Sequence, residues 1–246
     1  MTDGLLLIHA FPLDAGMWQD QEQAFAGRLL VAAPHLPGFG GTAPAGDVMT
    51  MRAAADRCIE ALDDADLERA VVCGLSMGGY VAFELWRSAR DRVAGMILAN
   101  TRTGADSSEG AAGRRALAER LRSEGSAFLV ENPPPLLSDS APEDLRDLVR
   151  SLIAAQSPDA IAAAALGMAE RPDSTPDLPG IDVPTLVITS SGDTLIPPDA
   201  TTPMADQIPG AELAVIDGAG HLSNLEARSR FDELVGAHLT RCGIPA

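Results

Sequence analysis

Residues 70–79 read Ala70-Val71-Val72-Cys73-Gly74-Leu75-Ser76-Met77-Gly78-Gly79. Four apolar positions run into a Gly-x-Ser-x-Gly turn, and residues 78–86 continue at helical spacing. Strand, tight turn and helix in direct succession place the Ser76 hydroxyl at the tip of a sharp bend. A serine in such a bend takes a strained backbone conformation. Side chains two positions to either side would clash, which accounts for Gly74 and Gly78. The helix that follows offers unpaired N–H groups and the positive end of its dipole. Ser76 is therefore a candidate nucleophile, and the Met77 N–H a candidate donor to a developing oxyanion. Taken alone, the segment also fits an ordinary glycine-rich turn carrying an incidental serine.

Outward from this turn, short apolar runs bounded by Gly, Pro or Asp recur at residues 5–8, 29–33, 94–99, 185–189 and 213–216. Runs apolar at every position suit strands covered on both faces, as in a parallel sheet. Helical stretches lie between them. Thr50 is placed to cap a helix over 51–62, where Ala54, Cys58, Ile59 and Leu62 recur on one face, and residues 225–239 read the same way. The alternation predicts an α/β fold with a mostly parallel, doubly wound sheet. It breaks between Asn100 and Pro184, where three helices are expected at 113–130, 142–154 and 158–170. A helical insertion after a strand's C-terminal end would sit over the active edge of the sheet as a lid. The expected organisation is a core of residues 1–100 and 184–246 with a helical cap of 101–183.

A serine nucleophile needs a base, and the base needs an orienting acid. Four histidines are available. His9 and His35 end apparent strands and read equally well as structural turn residues. His238 falls late in the terminal helix, where a surface or dipole role is expected. His221 lies in the glycine-rich loop Gly218-Ala219-Gly220-His221-Leu222-Ser223-Asn224, between the last strand and the last helix. Asp193 follows the strand at 185–189, in Ser190-Ser191-Gly192-Asp193; by itself it also fits an Asx-turn. Ser76, Asp193 and His221 each follow the end of a strand, in a chain order shared with one known class of triad.

Composition narrows the chemistry further. The 246 residues carry 35 acidic and 18 basic side chains, a net charge of −17. This argues against nucleic-acid binding and against a polybasic membrane anchor. All 18 basic residues are arginine, so lysine Schiff-base chemistry, pyridoxal-phosphate binding, a Walker-type loop and a protein-kinase site are excluded. Three cysteines, Cys58, Cys73 and Cys242, show no metal-ligand spacing, and the first two sit in apolar runs as core residues. No basic region precedes the run at 5–8, which is too short to span a membrane. The expected location is the cytoplasm. Neither a metal-ligand cluster nor a dinucleotide fingerprint is visible, so no cofactor is expected.

With these motifs in place, nearly the whole chain resembles a serine α/β-hydrolase. His9-Ala10-Phe11-Pro12 is similar to the family's His-Gly oxyanion loop, which implies the Phe11 N–H as a second oxyanion donor beside Met77. His35-Leu36-Pro37-Gly38-Phe39-Gly40-Gly41 resembles its Asp-x-Pro-Gly-x-Gly loop. Met17-Trp18 and His221-Leu222-Ser223-Asn224-Leu225-Glu226 look most like the 3-oxoadipate enol-lactonase and small carboxylesterase branch. Three departures stand out. Ala10 replaces the usual glycine and is expected to narrow the oxyanion hole. His35 replaces the usual aspartate. The chain begins almost at the oxyanion strand, where most relatives carry about two earlier strands as an antiparallel edge. The expected sheet therefore has six strands, all parallel, without an N-terminal hairpin.

The expected activity is hydrolysis of a small ester, thioester or lactone through an acyl-enzyme, with Ser76 attacking, His221 as base and Asp193 as its orienting acid. An acyltransferase would use the same triad, and a ligand-sensing protein could retain it without metabolic turnover. Ser76 excludes a dehalogenase, which needs a carboxylate nucleophile. The expected partner is a small-molecule acyl substrate. Leu13, Trp18 and Leu195, with Phe11, Leu166 and Met168, are candidate apolar walls, though any of them also reads as core. Arg102 and Arg114 could reach a substrate carboxylate or simply be solvated.

Overall fold

A computed structural model describes residues 2–245. The chain starts with β1 (Asp3–Ile8), α1 (Gln19–Phe25), β2 (Val31–Ala32), α2 (Met51–Asp64), β3 (Arg69–Leu75), α3 (Met77–Ser88) and β4 (Val93–Ala99). Next come α4 (Ser108–Glu124), α5 (Ala127–Glu131), α6 (Glu143–Ala154) and α7 (Pro158–Ala169), with no strand among them. The chain closes with β5 (Thr185–Ser190), α8 (Pro198–Thr201), α9 (Pro203–Gln207), β6 (Glu212–Ile216), α10 (Ser223–Glu226) and α11 (Arg228–Arg241).

The six strands form one parallel sheet in the order β2-β1-β3-β4-β5-β6. This is the fold expected from the apolar runs. The inner strands β1, β3, β4 and β5 are buried almost throughout, because helices cover both faces. The outermost strand behaves differently. Leu213 and Val215 on β6 are each 45% exposed, so this run, despite its apolar composition, is a half-open edge rather than a covered strand.

Winding reverses between β1 and β3. From β1 the chain goes outward to β2, then returns across β1 to β3 and continues the other way. Open α/β sheets bind ligands outside the strand C-termini at such a switch point, because the connecting loops diverge there and leave a crevice. Here Ile8 pairs in register with Gly74. The loop from His9 and the turn at Ser76 therefore leave the sheet side by side.

Local signals explain most helix boundaries. Thr50 caps α2 by accepting the Ala53 N–H at 3.1 Å. Ser107 and Ser157 cap α4 and α7 in the same way, through Gly110 and Ala160. Four helices rather than three occupy the stretch between β4 and β5. Gly125, at φ +79°, ends α4 inside the segment read as one helix, and α5 starts afresh at Ala127. The terminal helix is also split, at Ala227 between α10 and α11. His238 on α11 is buried rather than on the surface, and burial pushes its pKa down to about 4.

Several hydrogen bonds fasten the helices between β4 and β5 to the sheet layer, including those near α7. Gln156 donates to Asp14 at 2.8 Å and accepts the Gly40 N–H at 3.0 Å. The Met49 N–H donates to Ala163 O of α7 at 3.0 Å. One turn further along α7, Gly167 lies directly on Met49, where an added Cβ would overlap the Met49 carbonyl. Gly167→Ala should therefore cost about 1–3 kcal/mol, since the overlap is with backbone and cannot be relieved by a rotamer change. Urea denaturation of the two proteins measures it; equal midpoints would show that α7 does not dock here as described.

His35, at the position of the family's aspartate, has a structural role. Its ring lies where a Gly40 Cβ would be, and its Nδ1 accepts the Ala15 N–H at 3.3 Å. Gly40 has φ +58°, so the ring and the backbone conformation both demand glycine. Ala10 is fully buried in the core and is not among the residues that line the cavity beside Ser76.

Candidate active site

The Ser76 turn is built as the sequence suggests. Ser76 has φ +57° and ψ −114°, outside the usual regions for an L-residue, between β3 and the first residue of α3. The surroundings hold it there. Its N–H donates to Ala99 O at 2.9 Å, and its carbonyl accepts from Gly79 N at 2.9 Å and from the Thr101 hydroxyl at 2.8 Å. A Cβ at Gly74 would overlap Gly78, and one at Gly78 would overlap Ile8 O. Closing the turn this tightly against β1 is possible only with glycine at both positions. Met77 opens α3, so its N–H has no acceptor within the helix.

His221 and Asp193 meet beneath the sheet edge. Both side chains are fully buried, and His221 Nδ1 lies 2.8 Å from Asp193 Oδ2. Asp193 is held from every side. Its Oδ1 accepts the Leu195 and Ile196 N–H groups at 2.9 Å each, and its Oδ2 also accepts Asn100 Nδ2 at 2.9 Å. Burial pushes its carboxyl up, but the His221 hydrogen bond and charge, with the Ile196 and Asn100 donors, outweigh it and hold the pKa below the usual value. An ionised Asp193 fixes the proton of a neutral His221 on Nδ1, which leaves Nε2 as the basic atom. Nε2 is buried and has no hydrogen-bond partner among the described residues, Ser76 included. Catalytic hydrogen bonds are often long or misaligned without substrate and tighten when it binds.

Asn100 is the contributor that the sequence did not disclose. It follows β4 directly and takes φ +45°, a conformation asparagine tolerates better than most residues. From there Nδ2 reaches Asp193, and Oδ1 accepts the Ser223 hydroxyl at 2.7 Å. A single asparagine after a strand carries no motif, and only the packing of β4 beside β5 brings it to Asp193. Glu226 ties the His221 loop to the opposite wall. Its carboxylate accepts Gly220 N at 2.7 Å, Ser138 N at 2.9 Å and the Ser138 hydroxyl at 2.6 Å.

Ser76 opens into a cavity of about 260 Å³. From the sheet side it is lined by Phe11, Ser76, Tyr80, Leu195 and Ile196. The segment between β4 and β5 supplies Arg102, Arg114, Leu117, Pro134, Leu136 and Met168. Three expected wall residues are elsewhere. Leu13 and Trp18 are completely buried in the core, Trp18 tilted against Phe231 with ring centroids 5.9 Å apart. Their apolar character reflects the packing of the first helical turns onto the sheet. Leu166 likewise packs against the core rather than the cavity.

Outside this constellation, His9, Cys58 and Cys73 are accounted for by packing. His9 donates from Nδ1 to Ala10 O and accepts the Leu36 N–H on Nε2, both at 3.1 Å, and burial lowers its pKa to about 4. Cys58 and Cys73 are buried, and burial raises both thiols, that of Cys58 to about 12. Among the described residues no group of three or more His, Cys, Asp or Glu side chains could hold a metal ion. No single helix there is long and apolar enough to cross a membrane.

Residues 5–235 match the model of the alpha/beta hydrolase family. A solved structure described as a thermophilic esterase from Thermogutta terrifontis, with malate bound, superposes with a TM-score of 0.93 at 40% identity, over 97% of this chain and 90% of that one. 3-oxoadipate enol-lactonase 1 of Acinetobacter baylyi is 29% identical over 90% of this chain and 82% of its own length. The dihydrolipoyllysine-residue acetyltransferase component of the acetoin cleaving system of Pseudomonas putida is 27% identical over 96% of this chain, which spans 63% of that protein.

Proposed function

The chain belongs to the alpha/beta hydrolase family, and from that premise we propose that it hydrolyses a small ester, thioester or lactone through an acyl-enzyme formed on Ser76. The observation that carries this reading is the buried Asp193–His221 pair, at 2.8 Å, in a chain whose positive-φ serine opens into the cavity. Such a serine conformation is costly, and it persists only where the surroundings over-determine it.

In the proposed reaction Ser76 Oγ attacks the acyl carbon while His221 Nε2 takes its proton. Asp193, ionised and immobile, stabilises the imidazolium so formed. The oxyanion of the tetrahedral intermediate accepts the N–H groups of Phe11 and Met77, which the β1–β3 register brings to one edge. His221 then gives its proton to the departing alkoxide or thiolate. In the second half, His221 takes a proton from water, whose oxygen attacks the acyl-enzyme. Collapse releases the acid and returns the proton to Ser76. The helices between β4 and β5 act as a cap in this reading, supplying the walls that face the acyl group. Its size favours a small substrate. We place the protein in the cytoplasm, on its three free cysteines.

The direct test is fluorophosphonate labelling read by intact mass and peptide mapping. One label on Ser76, with turnover of short acyl esters, thioesters or lactones by the same preparation, is the expected result. A folded protein that remains unlabelled would overturn the proposal in favour of a ligand-binding role.

Asn100 acts in this scheme through Asp193. Asn100→Ala should lower kcat about 10- to 100-fold with little change in KM, because it removes a hydrogen bond to a charged group worth about 1.5–3 kcal/mol. An unchanged kcat in a folded variant would assign Asn100 to stability alone.

A further inference from the structure

We propose, resting on the hydrolase reading above, that the site selects acyl substrates carrying a second, anionic end group, a carboxylate bound by Arg102 and Arg114. The chain as a whole is strongly acidic, yet its Ser76 cavity is lined by two arginines and no acidic side chain.

The arginines belong to a cluster whose charges do not cancel. Asp106, with its side chain 1% exposed, lies behind the cavity wall. Its Oδ1 accepts Arg102 Nη2 at 2.6 Å and pairs with Arg171 Nη2 at 2.9 Å, while its Oδ2 accepts Arg114 Nε. Arg171 is spent in the interior. Its Nη1 and Nη2 donate to Met168 O and Gly104 O at 2.8 Å each, and its guanidinium lies 4.1 Å from the centre of the Tyr80 ring. Burial pushes the Asp106 carboxyl up, but the Arg171 and Arg114 hydrogen bonds outweigh it and hold it at about 2, so it is ionised near neutral pH. One carboxylate therefore faces three guanidinium groups. With Arg171 matched to Asp106 inside the protein, the charges of Arg102 and Arg114 remain for the cavity.

Both have donors to spare. Among the described residues Arg114 makes a single hydrogen bond, through Nε, which leaves Nη1 and Nη2 without a partner there. Among the same residues Arg102 uses only Nη2, and its Nε is buried without a partner. A carboxylate on the acyl chain would meet planar donor sets suited to it, held in place from behind by Asp106. Holding Asp106 alone would not explain why two of its three arginines line the cavity.

The test compares mono-p-nitrophenyl succinate with p-nitrophenyl butyrate, which are close in length and differ in the terminal charge. Without a local cation site, the field of so acidic a protein makes the anionic ester the poorer substrate. The expected kcat/KM for the succinate ester is instead at least about tenfold higher, mainly through KM. In Arg102→Gln/Arg114→Gln the succinate-to-butyrate ratio should fall at least about tenfold, and Arg102→Lys/Arg114→Lys should recover part of it. A wild-type ratio at or below one, or a ratio unaffected by the glutamine pair, overturns the proposal while leaving ester hydrolysis intact. If neither ester turns over and Ser76 does not label, the hydrolase reading fails instead. Calorimetric titration of succinate then decides: saturable binding lost in the glutamine pair supports the anion site, and no binding to the wild type overturns it.

Discussion

Ser76→Ala should lower kcat/KM for any ester the protein cleaves by at least about 10⁴-fold, with its melting temperature nearly unchanged. The two halves of this expectation have separate causes. In the proposed reaction turnover depends on Oγ, the atom that forms the acyl-enzyme, and neither His221 nor the proposed oxyanion donors can substitute for it as nucleophile. Stability depends on the backbone of the turn. The bonds that hold it run from Ser76 N to Ala99 O and from Thr101 and Gly79 to Ser76 O, and all survive the substitution. Alanine also keeps the Cβ, so the strain at φ +57° is the same in both proteins. Steady-state kinetics beside thermal melts checks both halves. Activity within about tenfold of wild type would remove Ser76 as nucleophile, and a large drop in melting temperature would mean that the loss of turnover reports misfolding.

The residues of this turn were legible because its chemistry is local. Gly74, Ser76 and Gly78 are constrained by atoms within a few residues and by the neighbouring strand end, so the pattern is written in consecutive positions. The strands were legible for a related reason: β1, β3, β4 and β5 are covered on both faces and therefore carry nearly continuous apolar runs. The same logic misled at β6, whose alternate residues Leu213 and Val215 are apolar but lie exposed on an edge strand. Composition cannot distinguish an edge from an interior strand.

What sequence could not show is whatever depends on elements distant in the chain. Asn100 meets Asp193 across 93 positions, and nothing near Asn100 announces it. Leu13 and Trp18 were candidate walls because large apolar residues line both pockets and cores, and only packing decides which. Arg102 and Arg114 could, from the sequence, either reach a substrate carboxylate or be solvated, and only the packing shows that Asp106 gathers both of them with Arg171. The pattern is consistent: the serine turn is local, whereas its partners and the cavity walls are assembled at long range.

A second large effect should appear in the acid stability of the fold. Between about pH 6.5 and pH 4 the protein should lose stability steadily, through His9 and His238. Both rings are buried, and burial pushes both pKa values down from 6.5 to about 4. His9 is committed to the neutral form by its bonds, since a protonated Nε2 could no longer accept the Leu36 N–H. Within this window the unfolded chain holds protons on these rings that the native state refuses. Unfolding therefore takes up protons, and native stability falls as pH falls, by up to about 1.4 kcal/mol per pH unit for each histidine. Below about pH 4 both states are protonated there and the slope from these rings ends. Asp106 and Asp193, held below 3.8, add their own loss only in that lower range. Glu22 and Asp232, whose carboxyls burial raises, act in the opposite sense to the histidines. Chemical denaturation at pH 7, 6, 5 and 4.5 gives the slope directly, and His238→Phe should halve it by removing one titrating ring. A flat stability profile from pH 7 to 4.5 would mean that neither ring is held neutral in the folded protein. Acid loss of turnover in that range would then belong to the reaction centre rather than to the fold.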